Sequence, residues 1–590
     1  MKVNSDIRQF GAETLVERVR RNEQFHRVTR AILGGDRRVD IAGLRGSSPA
    51  FLVEALRAAL RRPVVVCCPD DETARDVRAD LGTISRATVR LLPEKDIFPR
   101  RFELRENLGV RGGRNATLDA VLRGGVDVVV TSILGFLEKS IPVDVLRANS
   151  LDLRRGGELD LEELRDRLVR VGYDATHTVE ESGQYAVRGA IVDIFDPSAD
   201  RPVRFELVDD EVASIRTFDI DSQRSVEQLE AVRILPATGI LVNDTSLDKL
   251  ETNLRRSGMP QAILERIRGA VADRQSSYLL RRYAPAMGMD GALLDFYRTP
   301  PLLFFWGEED LVRTLDRLPA EIEHIAKQID SEEPLLELYD YLHRPEYYTA
   351  YGFPAVHLWG LPGLPAGRAP KPDGGPRSKA DDDQGAEAAT EPPSPPGPVI
   401  EFHTKDHPAV MGKFDSLLDT IRRLRSKRVD VHIYSESAAQ RERLADMLGT
   451  DEELVHLPVG WMTSGFVWET SGLAVLTDHQ IFHRSLPRPA PKRPARRVQI
   501  QRPDHLEIGD FVVHVDYGIG RYLGLEKVGV DDHEAECLTL RYQGTDRIYV
   551  PLDQMVLVEK YVGKEGVVPR IDRLGSTKWQ RTKERTRKAL

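Results

Sequence analysis

The sequence predicts a multidomain α/β protein with a small all-β module near its C-terminus. Three observations support this fold class. The chain has 590 residues, too many for a single core. Short apolar runs alternate with helical patterns in its first quarter, and four β-rich runs separated by short turns occupy residues 509–553. The composition, with 30% charged and 41% hydrophobic residues, is typical of a folded protein, and the net charge of −9 argues against a generally basic nucleic-acid binder.

Residues 1–150 form the first predicted domain. The runs PVVVCCP (63–69), TVRLLP (88–93) and VDVVVTS (126–132) read as strands buried on both faces, and the helical stretches between them indicate βαβ units. Residues 151–237 show a different pattern of apolar and polar residues. There Phe205 and Leu207 alternate with polar residues ahead of an Asp-Asp turn, which predicts a smaller unit with antiparallel hairpins.

The rest of the chain divides by composition. Helical patterns return in 238–345, and 346–483 is predicted to be a further α/β domain. Within it, 361–398 is rich in Pro, Gly, Ala and charge and is expected to be a disordered insertion. The remaining predicted segments are a basic proline-rich linker at 484–503, a small barrel at 504–563 and the start of a basic helix at 564–590.

The stretch GLRGSSPA (43–50) lies where a phosphate-binding loop would be expected, between an apolar run and a helix. A working loop needs glycines, a lysine for the phosphates and a hydroxyl for magnesium. If Gly43 is the first glycine and Gly46 lies within the loop, the second required glycine, the lysine and the hydroxyl are replaced by Ser48, Pro49 and Ala50. We therefore expect no cofactor at this loop, and a simple glycine turn explains the spacing equally well.

Other catalytic and metal-binding patterns are absent from the sequence. The fourteen histidines show neither HExxH nor a Cys/His cluster, and no Gly-x-Ser-x-Gly motif occurs. We expect no catalytic residue and no metal site. There is no apolar run long enough for a membrane span and no signal-peptide pattern at the N-terminus, so we expect a cytoplasmic protein without a membrane partner.

Two segments resemble known modules. EESGQYAVRGAIVDIFDPSADRPVRFELVDDEVASIRTFDIDSQRSVEQ (180–228) resembles the motif shared by UvrB and the transcription-repair coupling factors, the Mfd family. GDFVVHVDYGIGRYLGL (509–525) with CLTLRYQGTDRIYVPLDQM (537–555) resembles the RNA-polymerase-interacting module of that family and of the CarD regulators. The order of the two modules is that of the coupling factors.

The resemblance implies a specific architecture. We expect a UvrB-like α/β domain whose phosphate-binding loop is degenerate, an inserted α+β domain that binds UvrA, a further α/β domain and a C-terminal SH3/Tudor-like β-barrel. In this family a double-stranded DNA translocase motor, which uses ATP and Mg, follows the polymerase-binding module. The resemblance therefore implies that the chain ends in the helix leading to that motor and contains no motor of its own.

The resemblance also implies binding residues. The arginines that contact UvrA match Arg188 and Arg204, and the aromatic position of that face is occupied by Val208. Pairing of both arginines with local acids, such as Glu206 or Asp210, is the alternative. The barrel is expected to bind the polymerase β subunit by strand addition. The predicted docking strand is Leu538, Thr539, Leu540 and Arg541, although strand leucines are more often core residues.

The leading hypothesis is a repair factor that binds stalled RNA polymerase and recruits UvrA for nucleotide excision repair. Weak nonspecific contact with double-stranded DNA is expected from the basic linker 484–502 and from the final helix. A solvated tether is the alternative for the linker, and packing against the motor of the family is the alternative for the helix. A stand-alone CarD-like transcription regulator is the alternative function. An active UvrB-like ATPase is disfavoured by Pro49, which removes a backbone donor.

Overall fold

The computed structural model describes most of the chain before residue 483 and the strands of the C-terminal module. The described residues are 15–95, 108–220, 224–272, 282–328, 336–360, 395–408, 414–482, 509, 511–514, 518–530, 533–543, 546–551 and 558–560. They belong to two compact units, Met1–Pro487 and Arg488–Leu590, and each is described by itself. The predicted insertion lies almost entirely outside these residues, as do the basic linker and the final helix.

The first part of unit 1 alternates helices and strands, as the sequence predicts. Its elements are α1 (Glu23–Leu33), β1 (Arg38–Ala42), α2 (Ser48–Leu60), β2 (Val64–Cys68), α3 (Asp71–Ile84), β3 (Val89–Leu92), α4 (Leu108–Leu122), β4 (Val128–Ser132), α5 (Ile133–Leu137) and α6 (Val143–Asn149). Side-chain caps fix helix starts: Asn22 accepts from the backbone N–H of Gln24, and Asp70 accepts from that of Thr73. All five residues of β2 are buried, as expected for a central parallel strand.

A mostly antiparallel sheet follows. Its region contains β5 (Leu151–Arg154), α7 (Leu161–Arg170), β6 (Asp174–Ala175), β7 (Gln184–Arg188), β8 (Ile191–Ile194), β9 (Val203–Val208), β10 (Glu211–Phe218), β11 (Ser225–Leu229) and β12 (Ala231–Ile234). Six of these strands form one sheet in the order β11-β10-β9-β8-β7-β6, in which β6 pairs with β7 in parallel, while β12 pairs with β5. The predicted hairpin is confirmed: β9 and β10 pair antiparallel, and Asp209 at their turn has a φ of 54°.

The chain then returns to the first sheet. The elements are α8 (Asp244–Arg256), α9 (Gln261–Ala272), β13 (Leu302–Trp306), α10 (Glu308–Gln328), α11 (Leu338–Tyr341), β14 (Ala355–Trp359) and β15 (Val399–Glu401). The resulting seven-stranded parallel sheet has the order β15-β1-β14-β13-β2-β4-β3. Strands β14 and β15 thus flank β1, although the sequence analysis placed both in the separate domain 346–483. Periodicity shows that a strand is buried but not which sheet it joins.

A second, mixed α/β sheet completes unit 1. It contains β16 (Lys405–Asp406), α12 (Phe414–Ser426), β17 (Asp430–Tyr434), α13 (Ala438–Leu448), β18 (Val455–His456), β19 (Phe466–Trp468), β20 (Leu473–Thr477) and α14 (Asp478–Ile481). The strand order is β16-β19-β20-β17-β18. One side of this sheet shares the core of the first: Phe466 and Trp468 pack in the same buried cluster as Ile41 and Phe51.

The described residues of unit 2 form an antiparallel sheet of five strands. They are β21 (Phe511–His514), β22 (Gly518–Val530), β23 (His533–Arg541), β24 (Arg547–Pro551) and β25 (Val558–Lys560), in the order β24-β23-β22-β21-β25. Its described core includes Tyr522, Leu538, Leu540 and Val550. The predicted class, a multidomain α/β protein with a parallel sheet and further β sheets, is confirmed. None of the described helices is long and apolar enough to cross a membrane.

Candidate functional site

The loop that resembles a phosphate-binding loop joins β1 to α2. Gly43 and Gly46 adopt the left-handed backbone conformations that glycine favours, with φ of 83° and 54°. Helix α2 begins at Ser48, so Pro49 lies in its first turn, where a missing N–H is tolerated. Every residue from 39 to 56, Ala50 included, is buried. The loop is therefore an interior feature of unit 1.

Two segments from the second half of unit 1 occupy the space beside this loop. The backbone N–H of Arg45 donates to Thr404 Oγ1 at 2.7 Å, and Thr404 Oγ1 in turn donates to the Gly43 carbonyl at 3.0 Å. The N–H of Ser47 donates to the carbonyl of Ser464 at 3.1 Å, and the N–H of Ser464 donates back to Ser47 Oγ at 3.0 Å. Backbone donors that a phosphate would need are thus bonded within the chain.

The contacts at the two glycines are close. A Cβ at Gly43 would lie 1.8 Å from the carbonyl oxygen of Phe402, and one at Gly46 would lie 2.4 Å from that of Gly465. Only glycine permits such an approach of two backbones. The two glycines are therefore needed here for packing between segments of the chain.

A buried carboxyl lies beside this junction. Asp80 Oδ1 accepts from the N–H of Thr463 at 2.7 Å, and its side chain is almost completely buried. Burial raises the pKa of Asp80 to about 7, although hydrogen bonds from Ser47 and Thr463 oppose the shift. Sequence reasoning missed this group, because its partners are more than 30 residues away on one side and more than 380 on the other.

Arg188 and Arg204, the residues predicted to bind UvrA, lie on the outer face of the six-stranded sheet. The inward residues of β9 are buried, which places Arg204, Glu206 and Val208 on the opposite face. Cross-strand pairing sets Arg204 directly between Asp193 and Arg216. The two predicted arginines are brought together here.

Asp193 joins the two arginines. One of its oxygens, Oδ2, accepts from Arg188 Nη2 at 2.5 Å and from Arg204 Nη2 at 2.9 Å, while Oδ1 accepts from Arg204 Nε at 2.7 Å. Asp193 is fully buried, whereas 33% of the Arg188 side chain and 16% of the Arg204 side chain are exposed. The hydrogen bonds that Arg204 donates to Asp193 are the main cause of its raised pKa.

Both arginines therefore pair with a local acid, as the alternative from the sequence had it, but the acid is Asp193 and not Glu206 or Asp210. Glu206 pairs with Arg216 and forms no ion pair with either predicted arginine among the described residues. The Arg204 guanidinium lies 4.4 Å from the centre of the Phe218 ring. Val208, at the end of β9, is 63% exposed. We refer to Arg188, Asp193, Arg204 and Val208 as the arginine face. The shared carboxylate could not be read from the sequence, which offered several acids at similar distances.

The predicted polymerase-docking strand is not an edge strand. Leu538–Arg541 lies in β23, which pairs with β22 on one side and with β24 on the other. Leu538, Thr539 and Leu540 are fully buried, and Arg541 is partly exposed. Docking by strand addition at this strand is therefore wrong, because both of its hydrogen-bonding edges are occupied. The outer strands are β24 and β25, and Tyr549 on β24 is 42% exposed.

No group of three or more His, Cys, Asp or Glu side chains suited to a metal ion occurs among the described residues. The three cysteines, Cys67, Cys68 and Cys537, are buried and form no disulfide. The basic residues expected to contact DNA, in 484–502 and in the final helix, lie outside the part of the chain that the structure describes.

Comparison with known proteins identifies two regions. Residues 151–239 match the UvrB interaction domain, and residues 506–562 match the CarD-like/TRCF RID domain. The chain combines these two domains. The arginine face lies in the first, and the edge strand β24 lies in the second.

Similarity extends over nearly the whole chain. In an alignment 610 positions long, gaps included, which covers 95% of the chain, it is 28% identical to the transcription-repair-coupling factor of Myxococcus xanthus. In an alignment 618 positions long, which covers 96% of the chain, it is 24% identical to the protein of the same name from Bacillus subtilis. These alignments cover 48% and 49% of the two relatives, so the chain spans about half the length of the curated relatives it matches.

Proposed function

We propose that the chain acts in transcription-coupled DNA repair, where it binds RNA polymerase and recruits UvrA. The observation that carries this proposal is the presence of a UvrB interaction domain and a CarD-like/TRCF RID domain in one chain. A protein with both domains links the two partners physically, so a stalled polymerase would raise the local concentration of UvrA. The proposed place of action is the bacterial cytoplasm.

The arginine face is the proposed UvrA site. Two guanidinium groups held by one buried carboxylate keep a net positive charge, and their planar donors suit carboxylates of a partner. Asp193 fixes both side chains against the sheet, which reduces the entropy lost on binding. Exposed Val208 extends the face with an apolar contact.

The edge of β24 is the proposed polymerase site, replacing Leu538–Arg541. Unpaired backbone groups on an outer strand can accept an extended segment of the β subunit. Tyr549 supplies an exposed aromatic side chain on that strand. We further propose that the five described strands of unit 2 curl into an SH3/Tudor-like barrel that stays open between β24 and β25, which leaves the edge of β24 free for docking.

The loop at 43–50 is proposed to serve packing and not ATP binding. Its supporting observations are the bonds from Arg45 and Ser47 to Thr404 and Ser464, together with proline in place of the lysine that would contact phosphates. ATP and Mg are not proposed as ligands of this loop.

The decisive experiment is capture of purified UvrA and of RNA polymerase by the immobilised chain. Arg188→Ala with Arg204→Ala should reduce UvrA capture at least tenfold, as expected for hot-spot arginines, and leave polymerase capture unchanged. Arg165→Ala, an exposed arginine of the same domain, is the matched control. Unchanged UvrA capture by the double variant would refute the site.

Because Asp193 is buried, loss of both arginines could unfold the domain. The pair Arg188→Lys and Arg204→Lys keeps a cation beside Asp193 but removes the planar fork, so it should weaken capture with a smaller fall in melting temperature than the alanine pair causes. For the polymerase arm, Tyr549→Asp should reduce polymerase capture while UvrA capture persists.

A further inference from the structure

Three arginines lie side by side across unit 2. Strand register pairs Arg521 of β22 with Arg541 of β23, and Arg541 with Arg547 of β24. Phe511 of β21 pairs with Arg521 on the other side. Directly paired residues of neighbouring strands share a face of the sheet. We call Arg521, Arg541 and Arg547 the arginine row.

The row concentrates positive charge within an acidic segment. Residues 509–560 contain five Lys or Arg and ten Asp or Glu, and three of those five cations are in this row. Like charges directly opposite each other on adjacent strands destabilise a sheet. Three of them in register leave a repulsion that an anionic ligand would offset.

Contacts among the described residues offset the repulsion between the three arginines only in part. Arg521 donates from Nε to the Gly509 carbonyl at 2.9 Å, and its guanidinium lies 5.6 Å from the centre of the Phe511 ring. Arg547 Nη1 lies 3.7 Å from Glu526 Oε1, with about half of each side chain exposed, so this pair contributes little. Arg541, at the centre of the row, has no ion pair with any described carboxylate.

We propose that the arginine row binds the phosphate backbone of double-stranded DNA. Neighbouring strands are about 4.8 Å apart, so the row extends over roughly 10 Å. One strand of a duplex presents a phosphate about every 3.4 Å along the axis, which gives a continuous line of charge of matching length. Arginine forks bind phosphate oxygens in pairs.

A duplex fits the row better than an acidic protein surface does. A protein would have to present carboxylates in a line about 10 Å long, whereas every stretch of duplex has such a line. Tyr549 lies two residues from Arg547 on β24, so it shares that face, and it is exposed; tyrosine hydroxyls commonly donate to phosphates. The site also goes beyond the polymerase proposal, because Arg521 and Arg541 lie on inner strands, away from the docking edge.

The test measures the affinity of the full chain for a fluorescein-labelled 30-base-pair duplex of mixed sequence. Binding is detected by fluorescence anisotropy, and the titration is repeated at salt concentrations between 50 and 200 mM. Each phosphate contact makes the slope of log affinity against log salt concentration more negative by about 0.9. Each contact therefore accounts for about a 3.5-fold loss of affinity between 50 and 200 mM salt. Arg541→Gln should reduce that slope by about 0.9 and weaken binding at every salt concentration, as should Arg521→Gln. Arg27→Gln, an exposed arginine on α1 with the same charge change, should alter neither.

Two outcomes would overturn the proposal. One is a salt slope for Arg541→Gln equal to that of the unmodified chain. The other is loss of RNA polymerase capture by Arg541→Gln with duplex binding intact, which would assign the row to an acidic protein surface. Arg541→Lys guards against misfolding: it keeps the charge and should retain most of the slope. Melting temperatures of all variants are measured in parallel, and relief of like-charge repulsion predicts no decrease for Arg541→Gln.

Discussion

Substitution of Gly43 by alanine tests whether the loop after β1 is a packing element. Gly43 has a φ of 83°, and its Cβ would lie 1.8 Å from the Phe402 carbonyl oxygen and 2.9 Å from the Phe402 carbonyl carbon. Both obstacles are backbone atoms, so no side-chain rotation can relieve the overlap. Strand β15 and the segment after it would have to move away from β1.

The expected cost has three parts. A left-handed conformation costs a non-glycine residue about 1–2 kcal/mol. Overpacking of an interior typically costs about 1–3 kcal/mol. Displacement of the segment also weakens the bonds from the N–H of Phe402 to Ala42, at 2.7 Å, and from the N–H of Thr404 to Gly43, at 3.1 Å; each contributes about 1 kcal/mol. We expect Gly43→Ala to destabilise unit 1 by about 3–6 kcal/mol.

The matched control is Gly35→Ala. Gly35 has a similar φ of 99°, but nothing lies within 4 Å of its Cβ position, so it measures the conformational cost alone. Urea unfolding followed by tryptophan fluorescence is a suitable assay, because fully buried Trp468 packs 5.7 Å from the Phe402 ring. Equal midpoints for the two variants would refute the packing role of the loop.

Three further predictions concern Asp193, Val208 and Asp80. Asp193→Asn should lower UvrA affinity about tenfold although Arg188 and Arg204 remain, because the two arginines lose the carboxylate that orients them. Titration with purified UvrA measures this affinity, and an unchanged value would show that the arginines need no such support. Val208→Phe should raise UvrA affinity severalfold by adding apolar contact area, and a decrease in the same titration would exclude this position from the interface. Asp80→Asn should flatten the dependence of stability on pH between about 4 and 7. The folded-state pKa of Asp80, about 7, lies above that of an unfolded carboxyl, so stability falls as pH rises through this window, by up to about 4 kcal/mol; urea midpoints across that range test it, and an unchanged slope in the variant would contradict it.

The sequence predicts local structure well where periodicity is strong. The buried strand VVVCC and the hairpin of β9 and β10 follow directly from apolar runs and alternation. It fails on sheet membership: β15 pairs with β1 across more than 350 residues. Strand order depends on tertiary packing, which leaves no trace in local periodicity.

For the candidate sites too, local sequence predicts some features, and tertiary packing decides the others. Motif resemblance pointed to Arg188 and Arg204, and the structure brings them together on one carboxylate. The choice of Leu538–Arg541 as docking strand failed, because alternation of Leu and polar residues occurs in central strands and in edge strands alike. Which hydrogen-bonding edges are open is decided by neighbouring strands.

The loop after β1 shows why glycines alone are weak evidence for a nucleotide site. A phosphate group and a neighbouring backbone impose the same requirement, a close approach that a Cβ would block. Here Phe402 and Gly465 make that approach, so Gly43 and Gly46 are needed without any phosphate. Side chains that would bind charge are not needed for packing, and the lysine position holds Pro49. The side chains around the loop, and not its glycines, therefore distinguish a nucleotide site from a packing junction.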